Sequence, residues 1–312
     1  MQKTIFITGG TGFLGKALAK KLTNNYRVII GGRNNTQNLW AQTETGCEFT
    51  PIDVSNINSV KDAFYNYKPN IIIHAAATKF VDFSEKFPNE AIDINVTGSQ
   101  NVARVGIEIG AETIVGISTD KAAPPLHNTY SITKSLMERL YSSLNGKYTT
   151  KFVCTRFGNI AWSNGSVFPI WKKMNETGLI QSTGPHMKRY IFTIDEAVDL
   201  VITSIKNIDL IHGGVLTQNM KAVLIQDVLD VWSKKYGVDW VKIEERPGDS
   251  LNESLIGEIE LKHTKEIHLD NKLFYLIDFN KKFENHLEHM ISTENSELMN
   301  DEDIRKLIDY EN

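Results

Sequence analysis

Short apolar runs alternate with longer amphipathic stretches through the first half of the chain. Ile5 to Thr8, Val28 to Gly31, Phe49 to Asp53, Ile71 to Ala75, Ile114 to Ser118 and Phe152 to Phe157 are strand-length, rich in β-branched residues and nearly all apolar. That is the pattern of parallel strands covered on both faces. Between them, Gly12 to Thr23, Ile57 to Tyr67, Asn89 to Gly110 and Thr129 to Leu144 place apolar residues three and four apart, which predicts helices. A βαβα alternation of this kind implies an α/β fold with a doubly wound, Rossmann-like parallel sheet.

The alternation weakens beyond about residue 160. Ser163-Asn-Gly-Ser166 and Ser182-Thr-Gly-Pro185 are turn signals, and helical spacing returns over Ile194 to Lys206 and Ala222 to Tyr236. The expected organisation is a sheet domain over 1–160 and a smaller lobe over 161–279, some of whose segments return to the sheet domain. Residues 280–312 are charged and poor in aromatics, and read as either a surface helix or a partly disordered tail.

Composition narrows the class. The 312 residues are 41% hydrophobic and 23% charged, ordinary values for a globular chain. Lys and Arg number 34 against 38 Asp and Glu, a net charge of −4, and residues 280–312 alone hold nine acidic and four basic residues. The acidity therefore belongs to the C-terminal segment, and no basic field argues for a nucleic acid partner. Two cysteines, Cys47 and Cys154, are too few for a disulfide framework. With no signal-peptide layout and no apolar run near the ~20 residues of a membrane span, the expectation is a cytoplasmic protein without membrane association.

The first apolar run leads directly into Thr8-Gly9-Gly10-Thr11-Gly12-Phe13-Leu14-Gly15 and a helix. Glycines in this position let backbone N–H groups approach a pyrophosphate at a helix N-terminus, so Gly9, Thr11, Gly12, Phe13, Leu14 and Gly15 are expected to bind a dinucleotide. The second strand ends Gly31-Gly32-Arg33-Asn34 without the carboxylate that commonly holds the ribose hydroxyls of NAD. Arg33, flanked by Asn34, can instead pair with a 2′-phosphate, which favours NADP over NAD. Asp53, followed by Val54, is placed either to meet the adenine or to lead into the next helix. No metal is expected.

The fifth strand ends Ser118-Thr119-Asp120-Lys121, and Tyr130-Ser-Ile-Thr-Lys134 opens the next helix. A Tyr and a Lys one turn apart share a helical face, where the cation can lower the phenol pKa and let tyrosinate remove a hydroxyl proton. Together with His74-Ala75-Ala76-Ala77 and Asn95, these motifs identify the chain as similar to the extended short-chain dehydrogenase/reductase superfamily over roughly residues 3 to 260. The resemblance implies that Ala75, Ala76, Ala77, Asn95, Tyr130 and Lys134 contact the cofactor.

Ser118-Thr-Asp-Lys-Ala-Ala123 further resembles the signature of the UDP-N-acetylglucosamine 4,6-dehydratases, as do Arg156-Phe-Gly-Asn159, Gly165-Ser-Val-Phe-Pro169, Gly184-Pro-His-Met-Lys-Arg-Tyr190 and Arg246-Pro-Gly-Asp-Ser-Leu-Asn-Glu253. The retained Tyr130 resembles the soluble C5-inverting type. By that resemblance Tyr130 is the C4 base, Lys121 handles the C5 proton, Asp120 is the acid for the C6 hydroxyl and Thr119 binds the sugar. Lys79, Asn159, Val167, Met187, Arg189, Arg246 and Glu253 then contact a nucleotide-sugar such as UDP-GlcNAc, and the protein would be a homo-oligomer. Phe13-Leu14 is shared with many epimerases, and Pro124-Pro125 lengthens the segment before Tyr130. An epimerase or 4-keto reductase of the same superfamily is therefore the alternative. A non-catalytic NADP sensor is disfavoured by the Tyr130/Lys134 pair.

Overall fold

The computed structural model describes residues 2–244 and 249–310. The first half is the alternating series β1 (Thr4–Thr8), α1 (Phe13–Leu22), β2 (Arg27–Gly32), α2 (Asn35–Thr45), β3 (Glu48–Pro51), α3 (Ile57–Tyr67), β4 (Ile71–His74), α4 (Val81–Lys86) and α5 (Pro88–Ala91). It continues through α6 (Gly98–Glu108), β5 (Thr113–Ile117), α7 (Thr129–Leu144) and β6 (Lys151–Thr155). The single amphipathic stretch read over Asn89 to Gly110 is thus broken, because a π-helical turn over Ile92–Thr97 separates α5 from α6. Caps explain the clean helix ends: Asn56 accepts from the N–H of Asn58 at the start of α3, and Asn128 forms a capping box with Ser131 at the start of α7.

The second half contains β7 (Asn159–Ile160), α8 (Val167–Met174), β8 (Leu179–Thr183), β9 (Lys188–Phe192), α9 (Ile194–Lys206), α10 (Ile208–Ile211), β10 (Val215–Gln218), β11 (Ala222–Leu224), α11 (Ile225–Tyr236) and β12 (Asp239–Ile243). It closes with β13 (Ser254–Ile256), β14 (Thr264–Leu269), β15 (Lys272–Ile277), β16 (Ile291–Ser292) and α12 (Asp301–Asp309). The helix expected from Ala222 begins instead at Ile225. Residues 222–224 pair antiparallel with β9, a tertiary contact that helical periodicity does not report.

Nine strands form the main sheet in the order β14-β15-β10-β6-β5-β4-β1-β2-β3. The run from β3 to β10 is parallel, and β15 and β14 finish the edge antiparallel. Strand order reverses between β1 and β4, which makes the carboxyl ends of these strands the place where such sheets bind ligands. The central strands β1, β4 and β5 are buried along nearly their whole length, as their uninterrupted apolar runs require.

A second core gathers Trp162, Phe168, Trp171 and Trp232, with ring centroids 5.5 to 5.9 Å apart in four of the pairs. The C-terminal segment belongs to this core. Ile304, Leu307 and Ile308 of α12 are buried in it, Trp162 Nε1 donates to the Leu307 carbonyl at 3.0 Å, and β16 pairs with β13. Asp301, Glu302, Asp303 and Asp309 share α12 with buried Ile304, Leu307 and Ile308, so of the two readings of residues 280–312 a helix packed on the surface fits this stretch.

Candidate active site

The Gly-rich loop lies at the switch point. Gly9 has φ +67°, and a Cβ there would be 2.6 Å from the Ala76 amide nitrogen, while a Cβ on Gly15 would be 2.4 Å from the Gly9 carbonyl oxygen. Only glycine permits both approaches, which seat the loop against Ala75 and Ala76 at the end of β4. The Ala75 N–H donates to the Thr8 carbonyl at 3.1 Å, and the Ala76 N–H reaches the Thr8 hydroxyl at 3.4 Å. Gly12 is the N-cap of α1 and supplies no capping side chain, leaving the N–H groups of Phe13, Leu14 and Gly15 without intrahelical acceptors. An uncapped helix mouth cleared of side chains fits the pyrophosphate of a dinucleotide.

The surrounding residues divide by environment. Thr11 and Asn38 both approach Gly32, where an added Cβ would lie 2.9 Å from Thr11 Oγ1 and 2.7 Å from Asn38 Oδ1. Arg33 is exposed beyond β2, with Nη2 3.9 Å from Glu90 Oε1, and Asn34 caps α2 by accepting from the Gln37 N–H at 3.0 Å. Asp53 Oδ1 accepts from the N–H and hydroxyl of Ser55 at 3.0 and 2.7 Å, shaping the turn into α3. Val54 is buried beneath Gly98, and Ala77 is exposed. Asn95, on the π-helical turn, is wholly engaged by the chain. It accepts from the Thr78 N–H at 2.8 Å and donates to the Thr78 carbonyl and the Thr133 hydroxyl, each at 3.0 Å, so it ties the end of β4 to α7.

Beyond β5 the chain turns through Thr119, Asp120 and Lys121. Asp120 has no exposed surface, and its Oδ1 accepts from Thr119 Oγ1 at 2.9 Å, the Lys121 N–H at 2.9 Å and Lys121 Nζ at 3.2 Å. Its Oδ2 is buried without a partner among the described residues. Lys121 Nζ is also 3.4 Å from Glu253 Oε1, and the same oxygen is 3.7 Å from Arg189 Nε. Burial pulls the Lys121 ammonium down, but Asp120 and Glu253 outweigh it and hold it above the usual range. Burial pushes Glu253 up, against the pull of Lys121.

Tyr130, at the start of α7, faces this cluster. Burial pushes its phenol up to about 12; Lys121 and the nearby Thr119 hydroxyl pull it down, and Asp120 adds to the rise. Among these groups Lys121 is the cation whose charge favours the Tyr130 phenolate. Lys134, one turn along α7, donates through Nζ to the Ile117 carbonyl and reaches Met137 Sδ at 3.5 Å, with burial lowering it to about 8.

On the substrate side, Lys79 Nζ donates to the Asn164 carbonyl at 2.6 Å, and desolvation lowers its pKa. Asn159 Nδ2 donates to the Tyr190 carbonyl at 3.2 Å. Val167 opens α8 behind Ser166, whose buried hydroxyl has no partner among the described residues. Arg189 donates to the Lys188 carbonyl at 2.8 Å and to Met187 Sδ at 3.1 Å. Arg246 lies outside the described residues.

Sequence reasoning passed over the frame that holds the cluster. Arg156 is fully buried and bridges Glu138 on α7, at 2.6 Å, and Glu260, at 2.9 Å, while donating to the Leu255 carbonyl at 2.8 Å. The Ser118 hydroxyl donates to Glu138 at 2.6 Å. The available signal was a charged residue directly after the apolar strand Phe152 to Thr155, where a buried partner is obligatory.

A family model described as polysaccharide biosynthesis protein matches residues 5–273. The chain belongs to this family. The chain is 33% identical to an uncharacterized membrane protein of Methanocaldococcus jannaschii, over 98% of this chain and 95% of that one. It is 32% identical to a UDP-N-acetylglucosamine 4,6-dehydratase (inverting) of Campylobacter jejuni, over 85% of this chain and 80% of that one. Among solved structures, Pen from Bacillus thuringiensis is similar with TM-score 0.88 at 26% identity, covering 98% of this chain and 97% of that one. The family assignment and the sheet order together make this chain a member of the short-chain dehydrogenase/reductase superfamily. Among its described residues no helix is long and apolar enough to cross a membrane.

Proposed function

We propose that the protein is an NADP-dependent nucleotide-sugar 4,6-dehydratase, acting on UDP-GlcNAc with inversion at C5. The observation that carries this reading is the buried Asp120–Lys121 pair beside Tyr130 at the carboxyl edge of β5. Epimerisation needs a proton acceptor only at the C4 hydroxyl. Elimination needs in addition an acid and a base at neighbouring carbons, and an adjacent carboxyl and amine supply both.

The Gly9 to Gly15 loop, through the free N–H groups of Phe13, Leu14 and Gly15, would hold the dinucleotide with Ala75 to Ala77, and Arg33 with Asn34 would receive its 2′-phosphate. When bound, the nicotinamide supplies hydride acceptance from C4 and return to C6. Tyr130 Oη, held as phenolate beside the Lys121 ammonium, takes the C4 hydroxyl proton and becomes the neutral phenol. Lys121 Nζ donates a proton toward Asp120 Oδ1 across 3.2 Å. Moved to Asp120, it leaves a neutral amine to remove the C5 proton and a carboxylic acid to protonate the departing C6 hydroxyl. Thr119 orients the sugar, and Arg189 and Arg246 pair with the diphosphate. Residues 1–160 then act as the cofactor-binding part and 161–279 as the substrate lobe of a cytoplasmic homo-oligomer.

The test is incubation of the purified protein with UDP-GlcNAc in deuterated water, followed by mass spectrometry and NMR. Loss of one water with deuterium at C5 is the expected result. An isomer of unchanged mass would replace dehydration by epimerisation, the activity named for related UDP-glucose 4-epimerases of Rickettsia bellii, 28% identical over 99% of this chain.

A further inference from the structure

Glu253 is delivered to the cluster by a fixed frame. Its N–H donates to Thr293 Oγ1 at 3.0 Å, its carbonyl accepts from the Thr293 N–H at 2.9 Å, and two residues on the Leu255 carbonyl is held by Arg156 at 2.8 Å. Thr293 and Arg156 have no exposed surface. The carboxylate so anchored places one oxygen, Oε1, 3.4 Å from Lys121 Nζ, on an ammonium already 3.2 Å from Asp120. Among the described residues, the charged and titratable groups facing Lys121 are Asp120 beside it, Tyr130 from α7, Arg189 from β9 and Glu253 from ahead of β13. Two anions thus bracket the lysine, and one of them has no place in the proton transfers described above.

We propose that Glu253 is a positioning residue, rather than only a sugar contact: its carboxylate fixes Lys121 Nζ and keeps the proton shared by Lys121 and Asp120 within the pair across the working pH range. This deepens the dehydratase reading and rests on it for its consequence in turnover. The physical basis is that an opposite charge within about 4 Å favours the charged form of a buried amine, which desolvation alone would neutralise. Removing that charge lets the pair lose its proton at lower pH, and the amine can then no longer deliver a proton to Asp120.

Two measurements test it, one of them independent of any reaction. In ligand-free protein with 13Cε-labelled lysine, the Lys121 signal, assigned by its loss in Lys121→Arg, is expected to titrate about one to three pH units lower in Glu253→Gln than in wild type. Glu253→Asp, which keeps the charge on a shorter stem, should restore most of the difference and stands in should the Gln variant not fold. In turnover, the alkaline limb of the kcat profile should move to lower pH in Glu253→Gln, with KM changed less than threefold. An unchanged Lys121 titration in both variants, with the loss confined to KM, would overturn the proposal and leave Glu253 a substrate contact. Failure of wild type to dehydrate UDP-GlcNAc would instead overturn the dehydratase reading, while the titration shift would still stand.

Discussion

His74 is wholly buried at the end of β4, with Nδ1 2.8 Å from the Thr8 hydroxyl and Nε2 3.0 Å from the Ser99 hydroxyl. Burial, with Lys134 nearby, lowers its pKa to about 3. The unfolded chain binds this proton below about 6.5 and the folded chain does not. The contribution of neutral His74 is therefore present in full above about pH 6.5 and is lost as pH falls toward 3, a change of roughly 5 kcal/mol over that window. Urea titrations between pH 7 and 4 should show this loss, and His74→Asn should flatten the slope. Tyr130 and Lys121 make separable predictions. Tyr130→Phe should cut turnover by about 100- to 10,000-fold at the first step. Lys121→Ala should impair elimination more than C4 oxidation, so that reduced nicotinamide builds up at 340 nm. Full activity of Tyr130→Phe would remove the phenol from the mechanism.

Arg156 shows what joins one element to another. Arg156→Met would strand Glu138 and Glu260 as buried unpaired carboxylates, costing about 3 to 5 kcal/mol. Since β5, α7, β6 and the segment around β13 meet at this guanidinium, the loss should appear as one cooperative shift in calorimetry, not as local fraying. In the second core, Ile304→Ala should cost roughly 2 to 5 kcal/mol and shift the emission of Trp162 and its neighbours. The parallel strands and α3, α7 and α9 were legible because local signals agree there: unbroken apolar runs, a 3.6-residue period and capping residues at the first turn. The π-helical turn at Asn95 was hidden inside one amphipathic stretch, since its bonds to Thr78 and Thr133 are tertiary. The same holds for β11, whose partner β9 is thirty-odd residues away in sequence. In the site, Asp120, Lys121 and Tyr130 could be read from spacing. The bracketing of Lys121 by Glu253 could not, because it depends on how a segment more than a hundred residues later returns to β5.

At the scale of the molecule, the main sheet is completed late. β6 pairs with β10, and β15 and β14 close the far edge, so three of nine strands come from residues beyond 214. A fragment ending near residue 160 should consequently be poorly soluble, whereas one that reaches Ile277 keeps the whole sheet; comparing soluble yields checks this. On a ribosome adding about 5 to 20 residues per second, roughly 3 to 13 seconds separate the emergence of β6 from that of its edge partner β10. Through that interval Phe152, Val153 and Cys154 form an open strand edge with Arg156 beside it and Glu260 not yet made. The nascent chain is then a client for a holdase, and codon changes that slow translation between residues 160 and 277 should lower yield without altering the purified protein.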